Sequence, residues 1–265
     1  MSIGRQLKII LMLFKMKLSK NMAFRFSFFG VFFVDGTLFL IQLLMFSAIY
    51  SHVGEIGGWD RQQMLFFIGT FSLLNAANMA LYFFGVTSLP DKIKSGELDL
   101  YITRPVNTLF YLSFESIDLG SVPLVFASIG ILVYAVSGMD IRVTAFTIIG
   151  YIFLVLIMLL LYYDMEVIIR TIAFFTIQAS SIERIEGEFL TLCMKIPGTL
   201  FKGVFKILFY LILPYGIMAT VPTQFFTNAL TLPGFIYSVA VVIAFTAFTL
   251  AFWKLGLRNY KSASS

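Results

Sequence analysis

The chain has 265 residues, of which 59% are hydrophobic and 12% charged, and its formal net charge is +5. A soluble domain carries about 45–50% apolar and about 25% charged residues, so this chain lacks the polar surface to stay in water. Its single cysteine, Cys193, excludes an intrachain disulfide, and its single histidine, His52, leaves too few nitrogen and sulfur ligands for a zinc site.

Residues 1–25 are basic and apolar. Leu7, Ile10, Leu11, Phe14 and Leu18 fall on one helical face, with Arg5, Lys8 and Lys15 on or near the other. That pattern predicts a helix lying in the membrane interface; the alternative is a basic leader that only fixes orientation. The apolar run that follows is far longer than the roughly 7–15 residues of a signal core, so it reads as a retained span.

A helix crosses the hydrocarbon core with about 20 mostly apolar residues. Six stretches are predicted to do so: 28–50, 64–85, 110–136, 145–169, 204–221 and 232–253. Between them lie a charged loop, 88–107, and a polar segment, 170–203, and a basic tail, 254–265, ends the chain. With this arrangement all but Arg61 and Arg142 of the 19 lysines and arginines fall on the side of the two termini. Positive residues collect on the cytoplasmic side, so both termini are expected there. The expected fold is all-α and polytopic, one transmembrane domain over residues 1–265, in the cell membrane.

Ionisable groups inside spans are costly and often functional. Asp35 lies in the first span, and Glu115 and Asp118 share one face of the third at i, i+3 spacing. They either face protein and pair with basic neighbours, or form a substrate or proton site. Pro214 and Pro222 flank the outer end of the fifth span. Proline removes a backbone donor, which predicts either a broken, re-entrant element or an ordinary kink. The loop 88–107 carries Asp91, Lys92, Lys94, Glu97, Asp99 and Arg104, punctuated by Gly96 and Pro105. It reads as a short helix between turns that rests on headgroups or docks a soluble partner. No G-x-x-x-x-G-K-[ST] loop and no H-E-x-x-H occurs, so no catalytic residue, metal or cofactor is assigned to this chain.

Three segments carry a resemblance: GGWDRQQMLFFIGTFSL (57–73), SGELDLYITRPVNTLFY (95–111) and FKILFYLILPYGIMATVP (205–222), with MKIPGTLFKG before the last. The chain resembles permease subunits of the ABC type-two (export) superfamily, in a bacterial half-permease subgroup with the G-E-L-D…R-P-V-N loop. The stretch Phe175–Gln178 departs from that pattern. The resemblance implies an N-terminal elbow helix, six transmembrane helices, and a coupling helix in the 88–107 loop seated on a cytoplasmic ATPase. It assigns that contact to Asp91, Lys94, Gly96, Glu97, Leu98, Asp99, Arg104 and Pro105. It also implies two ATPase copies that bind ATP and Mg, a second permease half, identical or paralogous, and export as the direction. Pro214 and Pro222 would shape the outer gate. The competing readings are a stand-alone secondary transporter or channel, and a membrane scaffold without transport.

Overall fold

The computed structural model describes residues 36–37, 40–41, 43–176 and 179–260. The interfacial helix expected over 1–25, Asp35, much of the first span and residues 261–265 lie outside the described residues. The described residues form helices joined by short turns.

Helix α1 (43–50) enters a loop that turns at Gly57 and Gly58, both at positive φ. The loop is tied down by the Tyr50 hydroxyl, which donates to the Trp59 carbonyl at 3.0 Å. Trp59 is buried edge-on against Phe67. Asp60 then caps α2 in a capping box with Gln63, satisfying donors that the first turn would leave open.

Helix α2 (Arg61–Ser95) outruns the expected span 64–85 and takes in the first half of the charged loop. A π turn, Met79–Phe83, interrupts its α geometry. It ends where Gly96 adopts φ 76°, the left-handed cap that glycine reaches without cost. A short helix α3 (Asp99–Ile102) follows, then α4 (Thr108–Phe114), capped by the Asn107 side chain.

The third span, expected as one helix over 110–136, is two. Helix α4 stops at Phe114 and α5 (Val122–Ser137) begins eight residues later. Two features sustain the break. The Asp118 N–H donates to the Ala80 carbonyl, in the π turn of α2, at 3.0 Å. The Asp118 carboxylate accepts from the N–H groups of Gly120 and Ser121 and from the Ser121 hydroxyl. Backbone groups freed at this depth must find partners within the protein. Glu115 and Asp118 therefore do not share a helical face; they sit in the break.

Helix α6 (Ala145–Phe174), capped by Thr144, packs along α2, α9 and α10. Helix α7 (Ala179–Lys195) packs against α6 and α2. Its first turns stand beside Asp91, Lys94 and Thr176 through Ser180 and Glu183. The turn after it reaches the other end of the bundle: Gly198 N–H donates to Thr220 Oγ1 at 2.8 Å, and Leu200 packs on Gly57. The segment 170–203, expected as a polar cytoplasmic stretch, thus runs the length of the bundle. The expected fifth span, 204–221, is two helices, α8 (Gly203–Ile212) and α9 (Tyr215–Phe226), bent by 79° at Leu213 and Pro214. Helix α10 (Leu232–Asn259) closes the bundle, with Gly256 against Thr171 and Phe174.

Three apolar clusters hold these elements. The largest joins Met64, Phe67 and Phe71 of α2 to Met158 and Leu161 of α6, Cys193 of α7, and Ile217 and Met218 of α9. A second joins Val86, Leu89, Leu98, Leu112, Val167 and Trp253. In the third, Phe66, Tyr151 and Phe226 stack where α2, α6 and α9 meet. Helices α2, α6 and α10 are long and apolar enough to cross a membrane, and the bent pair α8–α9 passes the same test as one unit.

Candidate functional site

Two polar constructions stand out. The first is the region after Thr87. Lys92 turns inward and forms an ion pair with Glu115, both side chains nearly buried at 10% and 13% exposure. Its ammonium also donates to Ser88 Oγ at 3.1 Å and lies 4.6 Å above the Tyr101 ring. Arg104 stacks over Tyr111 and Tyr101, 4.4 and 5.1 Å from the ring centres, a geometry that attracts a cation to aromatic faces. Burial pushes the Tyr101 hydroxyl above its ordinary range, and the nearby Glu115 and Glu97 carboxylates push it further. Tyr260, at the end of α10, is raised as well, by burial first and by Asp99 second.

The expected contact residues divide by this anchoring. Asp91, Lys94, Glu97, Arg104 and Pro105 are exposed, and Asp99 is half-buried beside Tyr260. Gly96 makes the turn. Leu98 faces inward and is fully buried against its cluster. Beside the exposed charges stand two bare apolar side chains, Leu100 and Ile102 at 61% and 44% exposure. Reading by charge alone passed over both, and passed over Lys92 as the anchor.

The second construction draws on residues that the sequence analysis did not single out. Glu166 and Arg170 lie one turn apart on α6. Arg170 Nη1 stands 2.9 Å from Glu166 Oε2 and donates to Glu186 Oε2 of α7 at 2.6 Å. The Tyr215 hydroxyl, on the first residue of α9, donates to the other Glu186 oxygen at 2.6 Å. The Tyr162 hydroxyl links the same region to α2 by donating to Asn75 Oδ1 at 3.1 Å. Helices α6 and α7 thus meet at one guanidinium, and Glu186 joins it to the bend of the α8–α9 hairpin. The sequence signal was the i, i+4 pair Glu166–Arg170 inside an apolar helix. On the other flank of α6, Asp164 accepts from Thr246 of α10 at 2.5 Å.

Pro214 lies at the 79° bend, and Pro222 is buried within α9. Among the described residues no group of three or more histidine, cysteine or acidic side chains is arranged to hold a metal ion.

No curated protein and no solved structure matches the chain. The model of the ABC-2 family transporter proteins matches residues 37–264, nearly the whole length and including both constructions. A family of transmembrane transporter components accounts for the long apolar helices. The chain belongs to the ABC-2 transporter family, as a membrane permease.

Proposed function

We propose that the chain is one permease half of an ATP-driven exporter in the cell membrane. It works with a second half, identical or paralogous, and with two cytoplasmic ATPase subunits that bind ATP and Mg. The observation that carries this reading is mechanical. The apolar core and the exposed charged loop share one helix, α2, with a strutted end. The Lys92–Glu115 ion pair ties that end to the residue after α4, and Leu89 and Leu98 bury it against α4 and α6. Force applied at Asp91, Lys94, Glu97, Leu100 and Ile102 is delivered to the core rather than absorbed by a loose loop.

In this reading Lys94 faces the cytoplasm and the Gly57–Arg61 turn faces outside. Helix α7 then crosses from inside to outside, and α8–α9 is a re-entrant hairpin entering from the outer face. Support comes from Ser180, in the first turn of α7, beside Lys94 and from Leu200, in the turn after α7, against Gly57. The six crossings become α1, α2, α4–α5, α6, α7 and α10, and both termini stay cytoplasmic. Helix α7 keeps a polar stripe, Arg184, Glu188, Thr191 and Lys195, exposed along one side. Hydrocarbon is a poor solvent for such a stripe, so it faces the seam between the two halves and wets the path.

The test is copurification in mild detergent. The intact chain is expected to bring down an ABC ATPase in stoichiometric amount. Glu97→Lys with Leu100→Asp is expected to weaken that association by about tenfold or more, since bare apolar anchors dominate interfaces. ATPase retention that is unchanged in the double variant would overturn the coupling role.

A further inference from the structure

The meeting point of α6, α7 and α9 holds two carboxylates for one guanidinium. Glu166 and Glu186 are 1% and 4% exposed and Arg170 is 6% exposed. With both acids ionised, the group carries a net negative charge away from water, which is unfavourable without further pairing. The two acids are not equally served. Glu186 receives hydrogen bonds from Arg170 on one oxygen and Tyr215 on the other. Glu166 Oε2 approaches the same guanidinium nitrogen but completes no hydrogen bond, and Arg170 Nε completes none either.

A separate observation points to the same atom. Asn78 of α2 is fully buried within hydrogen-bonding reach of Glu166 and Tyr162, yet neither its Oδ1 nor its Nδ2 is aligned to complete a bond. Buried amides in folded proteins have partners as a rule. A carboxylic acid is the partner that matches both of its atoms: the acid O–H donates to the amide oxygen, and the amide N–H donates to the acid carbonyl. An ionised carboxylate serves only the second.

We propose that Glu166 is a proton-binding site, holding one exchangeable proton with Asn78 as its hydrogen-bonding partner while the hairpin is seated. The proton adds to a carboxylate oxygen of Glu166 and returns to bulk water when it leaves. The groups around Glu166 are Arg170 and Tyr162 on α6, Glu183 and Glu186 on α7, Tyr82 and Asn78 on α2, and Tyr215 on α9. Loss of the proton sets a second full negative charge against Glu186, competes for Arg170, and weakens the hold on Tyr215 at the hairpin bend. The site is independent of the exporter reading, since its test needs no partner and no transport.

The experiment is thermal unfolding of the chain in lipid nanodiscs from about pH 5 to about pH 9. A proton bound only while the hairpin is seated makes the seated fold most stable in acid and less stable as pH rises through the proton's release. Glu166→Gln, which mimics the protonated acid, is expected to flatten the profile, whereas Asp164→Asn keeps it. Infrared spectra at about pH 7 should show a protonated-carboxyl band in wild type and in Asp164→Asn that Glu166→Gln lacks. A Glu166→Gln profile as steep as wild type would overturn the site. Should Glu166→Gln fail to insert, the absence of the carboxyl band from Asp164→Asn would overturn it equally.

Discussion

At the scale of single residues, burial decides which charges matter. Lys92 and Glu115 are nearly enclosed and rely on each other. Lys92→Met strands a buried carboxylate and is expected to cost about 3–5 kcal/mol. Lys92→Met combined with Glu115→Met should recover most of that, because no lone charge remains. Melting temperatures of the three variants in nanodiscs check the pattern; equal losses in single and double variants would deny the pair its role. Tyr101 offers a test by pH. Its folded-state hydroxyl ionises above the ordinary tyrosine range. The stability tied to its proton is therefore complete below about pH 10 and declines as pH climbs past it. Alkaline unfolding should begin at higher pH in Tyr101→Phe than in wild type.

At the scale of elements, the crossing of α2 and α4 depends on a missing side chain. A Cβ at Gly85 would stand 2.6 Å from the Ser113 carbonyl oxygen and closer still to that of Leu112. Backbone cannot swing aside as a side chain can, so the helices must part. Gly85→Ala is expected to destabilise by about 1–3 kcal/mol and to loosen the end of α2 proposed to meet the ATPase. Reduced ATPase copurification alongside a lowered melting temperature would show both effects; a wild-type melting temperature would refute the close crossing. The paired breaks in α2 and the third span belong to the same scale. Their complementarity, Asp118 N–H to the Ala80 carbonyl, joins residues 38 positions apart and leaves no periodic trace in either segment. That is why the third span read as one helix. The leucine, phenylalanine and valine content on both sides of Glu115 is high enough to span, and nothing local to 115–121 announces the turn except Asp118, Gly120 and Ser121.

At the scale of the whole molecule, the two ends of the bundle make the strongest test. In a Cys193→Ser background, Arg61→Cys and Lys202→Cys should react with an impermeant thiol reagent from the outside. Lys94→Cys should react only from the cytoplasm. Labelling of Lys202→Cys from the same side as Lys94→Cys would remove α7 from the membrane and return 170–203 to the cytoplasm. A single cysteine at Glu188 should also react with water-soluble reagent if, as proposed, the polar stripe of α7 faces an aqueous seam. This topology places Lys195, Lys202 and Lys206 outside with Arg61 and Arg142, a weaker charge asymmetry than the six-span count from sequence. The lysines lie around a turn that the bundle holds against Gly57 and Thr220, so in the proposed topology packing outweighs the statistical preference.

Composition and hydrophobic run length were enough to establish a helical membrane protein, because a chain this apolar has no other solvent and hydrocarbon leaves backbone groups no partner but their own helix. They also located α2, α6 and α10, the proline-marked bend, and the charged loop, all features written in contiguous residues. What only the tertiary structure decided was the path of α7 along the bundle and which charges are buried. Glu186 reads as a solvated acid in a polar stretch until Arg170 and Tyr215 arrive from other helices. Lys92 reads as one more loop lysine until Glu115 meets it. The energy of a buried ion depends on partners distant in sequence, and a one-dimensional pattern holds no record of them.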